Sequence, residues 1–113
     1  MRVIDKPWGK EELLEVNEKY MVKRLTMNKG HRCSIQYHNR KTETIYALSG
    51  LLKISHGAAS EQLMDVVLPP GEYMTITPGV VHRMEAVETA VYLEASTPEL
   101  DDVVRLADDY NRD

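Results

Sequence analysis

An all-β barrel or sandwich is the fold class this sequence predicts, and three observations predict it. Glycine and proline recur at short intervals, at Gly30, Gly50, Gly57, Pro69-Pro70-Gly71 and Pro78-Gly79. The runs between them are short and apolar, bounded by turn residues at regular spacing, which is the pattern of many short strands rather than of a βαβ fold. The length, 113 residues, suits one domain with a single core that needs no staples.

Taken in order, Glu12 to Val16 is the first strand. Tyr20 to Met27 is the second, with Met21, Leu25 and Met27 alternating against more polar neighbours, as a half-buried strand requires. Ser34 to His38, Thr44 to Leu48, Leu51 to Ser55, Leu63 to Leu68, Tyr73 to Ile76, His82 to Ala86 and Thr89 to Ala95 follow. The C-terminus reads differently. Thr97 can serve as an N-cap, Pro98 suits a first helical position, and Glu99, Asp101 and Asp102 would fill the first turn. Leu100, Val103, Val104 and Ala107 recur at helical spacing, and Leu106 and Tyr110 widen the stripe. The expectation is one domain over residues 1–113, with a barrel over about 10–96 and a short amphipathic α-helix over about 98–111 packed upon it.

Composition narrows the function. The formal net charge is −4, and Lys23-Arg24 and Arg40-Lys41 are the only adjacent basic pairs, so no nucleic-acid surface is expected. A single cysteine, Cys33, allows no internal disulfide and fits a reducing, cytoplasmic setting. No apolar run is long enough to span a bilayer, and Met1 to Trp8 lack the apolar region of a signal peptide, so no membrane partner is expected.

Two stretches look like halves of one metal site. In Ser34 to His38, alternation puts Ser34, Gln36 and His38 on one face and Cys33, Ile35 and Tyr37 on the other. Glu43 opens the next strand across the turn through Asn39 to Thr42, and His82 begins a strand after Pro78-Gly79. Gln36, His38, Glu43 and His82 together offer an amide oxygen, two imidazoles and a carboxylate, a set suited to a divalent first-row metal. His31 and His56 lack such company and read as exposed or rim residues.

At these residues the sequence resembles the cupin superfamily, whose first motif is G-x5-H-x-H-x4-E-x6-G. Gly30, Gln36, His38, Glu43 and Gly50 keep every spacing, with Gln36 at the first histidine position. The second motif runs from Pro70-Gly71 through Pro78-Gly79 to His82. The glutamine narrows the resemblance to the mannose-6-phosphate isomerase branch, in particular the C-terminal isomerase domain of bifunctional isomerase/mannose-1-phosphate guanylyltransferases. Lys6-Pro7-Trp8-Gly9 is similar to that family's R-P-W-G, Tyr20 to Arg24 to its Y-x-V-K-R, and Ser34 to His38 to its S-L-Q-x-H. His82 to Glu85 is similar to H-R-L-E, Asp102 to Arg105 to D-I-V-R, and Asp108 to Arg112 to D-x-Y-G-R. Arg40 and Lys41 depart from the family, standing where it carries a His and an Arg thought to serve catalysis.

The resemblance implies a double-stranded β-helix, a jelly-roll barrel. It also implies a divalent metal, zinc first with manganese, iron or nickel as alternatives, and aldose–ketose isomerase activity on a hexose phosphate. The chain is expected to lack the nucleotidyltransferase half and to form a homodimer on family grounds. Lys41 and Glu94 are the candidate catalytic residues, Glu94 because the family has a Glu at the matching place. Lys23, Arg24, Arg83 and Arg105 are candidates for binding phosphate. Alternation lets only one of Lys23 and Arg24 face inward, and turns Arg83 away from its neighbour His82. The same scaffold could instead serve a metal-dependent oxygenase or lyase, or a non-catalytic sugar-binding barrel, because function belongs to the site and not to the fold.

Overall fold

The structure, a computed structural model, describes residues 1–110. Those residues form nine strands: β1 (Arg2–Lys6), β2 (Gly9–Val16), β3 (Met21–Met27), β4 (Ile35–Tyr37), β5 (Glu43–Gly57), β6 (Met64–Leu68), β7 (Tyr73–Ile76), β8 (Val81–Ser96) and β9 (Val104–Ala107). One path of the sheet runs β1-β2-β3-β8-β4-β9, and β5 joins it through β8 while also pairing with β6 and β7. All pairings are antiparallel. The result is a curled all-β barrel.

Period-two patterning builds the inside. On β3 the buried residues are Met21, Lys23, Leu25 and Met27, alternating with half-buried ones. On β5 the buried Glu43, Ile45 and Ala47 alternate with the outward Thr44 and Tyr46. Trp8, Leu25, Met27, Ile45, Leu52, Ile54, Met84 and Tyr92 belong to one contiguous core. Each large apolar side chain removed from water there contributes about 1.5–3 kcal/mol before the entropy of ordering it is counted.

Two pairs of expected strands are fused. Thr44–Leu48 and Leu51–Ser55 are both parts of β5, and His82–Ala86 and Thr89–Ala95 are both parts of β8. The expected turns are irregularities instead: the β5–β8 register shifts between Ala47 and Ser49, Ser49 and Leu51, and Leu51 and Leu52. Such bulges bend a strand without ending it, so these two long strands wrap from one part of the barrel to the next. Gly50 makes the bend possible. Its φ is +77°, and a Cβ there would lie 1.9 Å from the Thr89 carbonyl oxygen.

β1 lies outside the expected barrel limits. It pairs with β2 across a two-residue Pro7-Trp8 turn, with Lys6 opposite Gly9.

The expected C-terminal helix is absent. Val104–Ala107 extends as β9 along β4, with Tyr37 opposite Val104 and Gln36 opposite Arg105, while Asn111 lies outside the described residues. The physical reason is twofold. A helix of this length is marginal by itself, and β4 offers an edge whose backbone groups need partners. The would-be caps serve that docking. Thr97 Oγ1 accepts from the Thr42 amide at 3.1 Å, and the Asp102 carboxylate accepts from amides of the loop before β5 rather than from those of its own segment.

Candidate metal centre and cavity

Register brings the candidate ligands together. β4 sets Gln36 opposite His82. His38 follows β4, Glu43 begins β5, and His82 sits at the start of β8. His38, Glu43 and His82 are 2%, 1% and 0% exposed, and one potential ligand atom from each lies within 4.8 Å of the others.

The hydrogen bonds fix how the rings present themselves. His38 Nδ1 is 2.5 Å from the Asp102 carbonyl oxygen, and His82 Nδ1 is 2.9 Å from that of Val80. A carbonyl oxygen can only accept, so both Nδ1 atoms carry hydrogen. In the neutral rings both Nε2 lone pairs then face the same carboxylate oxygen. Glu43 Oε1 is 3.0 Å from His38 Nε2 and 3.1 Å from His82 Nε2, and His82 Nε2 makes no hydrogen bond. Three acceptors converging in a buried space repel one another unless extra protons or a cation lie among them. Two Nδ1-anchored imidazoles and a carboxylate are a donor set that suits a divalent metal. Gln36 lines the same cavity, where its Oε1 accepts from the Ser34 hydroxyl at 3.1 Å.

Beyond the ligands lies a cavity of about 270 Å³. A ladder of alternating charge lines it. Lys41 Nζ is 3.8 Å from both Glu43 and Glu94. Lys23 Nζ is 3.9 Å from Glu94 and 3.5 Å from Glu11. Burial, then the negative charge of Glu43, pushes the Glu94 carboxyl up to about 8 against the opposing pull of Lys41 and Lys23. Burial pushes the Glu43 carboxyl up too, but His38, His82 and Lys41 outweigh it and hold the group well below the usual carboxylate range. Burial raises the Cys33 thiol to about 11, so Cys33 is protonated at neutral pH and is a poor ligand.

The remaining candidates divide cleanly. Lys23, Lys41, Glu94 and Arg105 line the cavity. Arg24, beside Lys23 on β3, has its guanidinium bonded to Glu12 at 3.0 and 2.8 Å, outside the cavity. Arg83 turns away from His82, donating to the Cys33 carbonyl at 2.9 Å and pairing with Asp109 at 3.3 Å. Arg24→Ala is therefore expected to lower Tm by unpairing the buried Glu12 carboxylate while leaving metal content unchanged, which a thermal melt and metal analysis would check.

Some lining residues escaped the sequence reading. Arg2, Ile4 and Lys6 alternate on β1 and all face the cavity, a period-two signal that was available but short. Asp102 takes the backbone amides of Asn39, Arg40 and Lys41 at 3.0, 2.7 and 2.9 Å. Asn39's amide first, with those of Arg40 and Lys41, holds its carboxyl down at about 2. Nothing local in the sequence marks that role.

A curled antiparallel barrel with imidazoles and a carboxylate meeting inside defines the cupin class. Solved cupin structures share the fold. KdgF from Halomonas sp. superposes with a TM-score of 0.75 at 14% identity, covering 89% of this chain and 91% of that one. An RmlC-like cupin from Shewanella frigidimarina gives 0.76 at 18% identity, covering 88% and 86%. Within that class, the sequence model described as mannose-6-phosphate isomerase C-terminal matches residues 1–108, and the chain belongs to this family. Mannose-1-phosphate guanylyltransferase of Escherichia coli K12 is 30% identical over 121 aligned positions, covering 98% of this chain but 23% of that protein. The xanthan biosynthesis protein XanB of Xanthomonas campestris is 28% identical, covering 98% and 24%. The chain thus spans about a quarter of the length of these curated relatives. Among its described residues, no helix is long and apolar enough to cross a membrane.

Proposed function

We propose that this chain holds one divalent metal ion through Gln36, His38, Glu43 and His82 and isomerises a hexose phosphate between its aldose and ketose forms. The observation that carries the reading is the pair of buried, Nδ1-anchored histidines converging on Glu43 beside the cavity, in a chain of this family. Zinc is the first choice of metal for two imidazoles with oxygen donors, with manganese, iron or nickel as alternatives.

When bound, the metal supplies Lewis acidity toward the sugar's carbonyl and hydroxyl oxygens. The chain's own residues do the rest. Isomerisation takes a proton from C2 of the aldose and protonates the carbonyl oxygen to give an enediol; it then returns a proton to C1 while the C2 hydroxyl gives up its own to become the ketone carbonyl, so nothing is gained or lost. Glu94 is the group to carry that proton, being a buried carboxyl that lines the cavity between Lys23 and Lys41. Lys41 and Lys23 favour the ionised form that Glu94 needs to accept the proton, and Lys41 can offset negative charge developing on the sugar oxygens. The buried walls exclude water, which strengthens each of these interactions.

Proton NMR of mannose 6-phosphate with the metal-loaded protein is expected to show fructose 6-phosphate forming. A flat spectrum at high protein concentration would remove the isomerase reading. Lys41 favours a second reading, a barrel that binds sugar phosphate without turnover. It supplies the charge but not the planar two-pronged donor of the family's Arg, and its ammonium is already engaged by two carboxylates. Binding without conversion would select that reading.

A further inference from the structure

Half of this chain's 14 lysines and arginines are spoken for. Lys23, Arg24, Lys29, Arg32, Lys41, Lys53 and Arg83 each sit within ion-pair distance of a carboxylate. Arg2, Lys6 and Arg105 have no such partner among the described residues, and all three line the cavity.

Register explains their convergence. His82, Gln36 and Arg105 are successive partners across β8, β4 and β9. Glu94, Lys23, Leu13 and Arg2 are successive partners across β8, β3, β2 and β1. Directly paired residues share a sheet face, so both rows lie on the inner face and end on β9 and β1, two of the sheet's edge strands. The curl of the sheet brings those edges to one cavity. Depth separates the roles: Glu11, Lys23, Lys41, Glu43 and Glu94 are buried, whereas Arg2 and Arg105 are exposed and Lys6 is half-buried. Asp101 is the one carboxylate among the exposed or half-buried lining residues. The rim therefore carries three cations against one carboxylate, on a chain whose net charge is −4.

A second observation points to an absent ligand. Tyr92 is fully buried and lines the same cavity, yet its hydroxyl has no hydrogen-bond partner. Its row runs through Leu25 and Glu11 to Ile4, between Arg2 and Lys6. A buried hydroxyl without a partner is costly, and a polar ligand in the cavity would relieve it.

We propose that Arg2, Lys6 and Arg105 form an anion subsite at the cavity rim that takes the phosphoryl group of the substrate, leaving the sugar's hydroxyls to the interior. The inference rests on the sugar-phosphate reading above and adds where the phosphate is held. Arginine on each side can grip phosphate oxygens with two parallel donors.

The test is calorimetric titration of the protein as purified with inorganic phosphate, mannose 6-phosphate and mannose at constant ionic strength. The metal content of every sample is measured alongside. Phosphate is expected to compete with mannose 6-phosphate, and mannose to bind at least about tenfold more weakly than its phosphate. Arg2→Gln and Arg105→Gln should each weaken mannose 6-phosphate about five- to tenfold with metal content unchanged. Lys19→Gln, an exposed turn residue away from the cavity, should do nothing. The subsite is overturned if phosphate does not bind, if mannose binds as well as its phosphate, or if both arginine variants bind like the unchanged protein. Phosphate affinity that tracks metal content and ignores both arginines would assign the phosphate to the metal instead, and would overturn it too. Metal content, turnover and phosphate affinity are separate readouts, so this subsite and the isomerase reading can fail independently.

Discussion

His38→Ala is expected to purify with less than about a tenth of the metal carried by the unchanged protein, for which about one ion per chain is expected. His38, Glu43 and His82 are the only three-residue group of metal-capable His, Cys, Asp and Glu among the described residues. Removing one imidazole leaves too few donors to outcompete water for the ion, and affinity should fall at least about 100-fold, beyond the range set by losing an outer contact. The mutation also removes the ring that links Glu43 to the Asp102 carbonyl. His31→Ala is the matched control. That ring stacks on Tyr110 at a centroid distance of 6.1 Å and bonds to its hydroxyl, outside the metal centre. Elemental analysis of both variants decides the matter: equal metal in His38→Ala and the unchanged protein would reject the centre.

The ligand face was legible because it depends on short-range geometry. Gln36 lies on β4 and His38 one residue past its end, and the two-residue spacing keeps both on the cavity side, while the Pro78-Gly79 turn marks where the strand of His82 begins. That only one of Lys23 and Arg24 faces inward, and that Arg83 turns away from His82, follow from the same alternation; the structure supplies that the inward one is Lys23. What was not legible depends on distant partners. Leu100, Val103, Val104 and Ala107 have helical spacing, yet the free edge of β4 decides their conformation, and β4 lies more than sixty residues earlier in the chain. β1 offered only Val3 and Ile4 as β-branched residues, too short a signal without its partner β2. The turns expected near Gly50 and Glu88 became bulges because β5 and β8 support each other across the bend. Local pattern thus revealed which side chains could meet, and long-range pairing determined what encloses them.

The segment that was misread makes the other large prediction. Asp102→Ala is expected to weaken metal binding about tenfold, at the low end of the 10–100-fold range for losing a group that orients a ligand. Asp102 touches no donor atom with its carboxylate. That group holds three consecutive amides, those of Asn39, Arg40 and Lys41, and so fixes the loop between His38 and Glu43. Its backbone carbonyl receives the His38 Nδ1–H. The alanine variant keeps the carbonyl but loses the clamp that holds it in place, so the His38 ring and the Glu43 carboxylate should lose their common aim. A purely structural role would lower Tm alike with and without metal. Positioning predicts an added loss of the Tm increment that metal confers, together with the weaker Kd. The pH dependence carries a sign. The folded-state carboxyl is held at about 2 against an ordinary 3.8, so below about pH 4 the unfolded chain binds the proton that the folded one refuses. The stabilisation is therefore full above about pH 4 and is lost as pH falls through about 2. The Tm difference between the unchanged protein and Asp102→Asn should stay constant from pH 7 to about 5 and shrink below about 4, because the protonation of shared groups cancels in the difference. A difference independent of pH down to 2 would reject the carboxylate clamp, and an Asp102→Ala variant with unchanged metal affinity would show that the segment before β9 merely covers the barrel and does not aim His38 and Glu43.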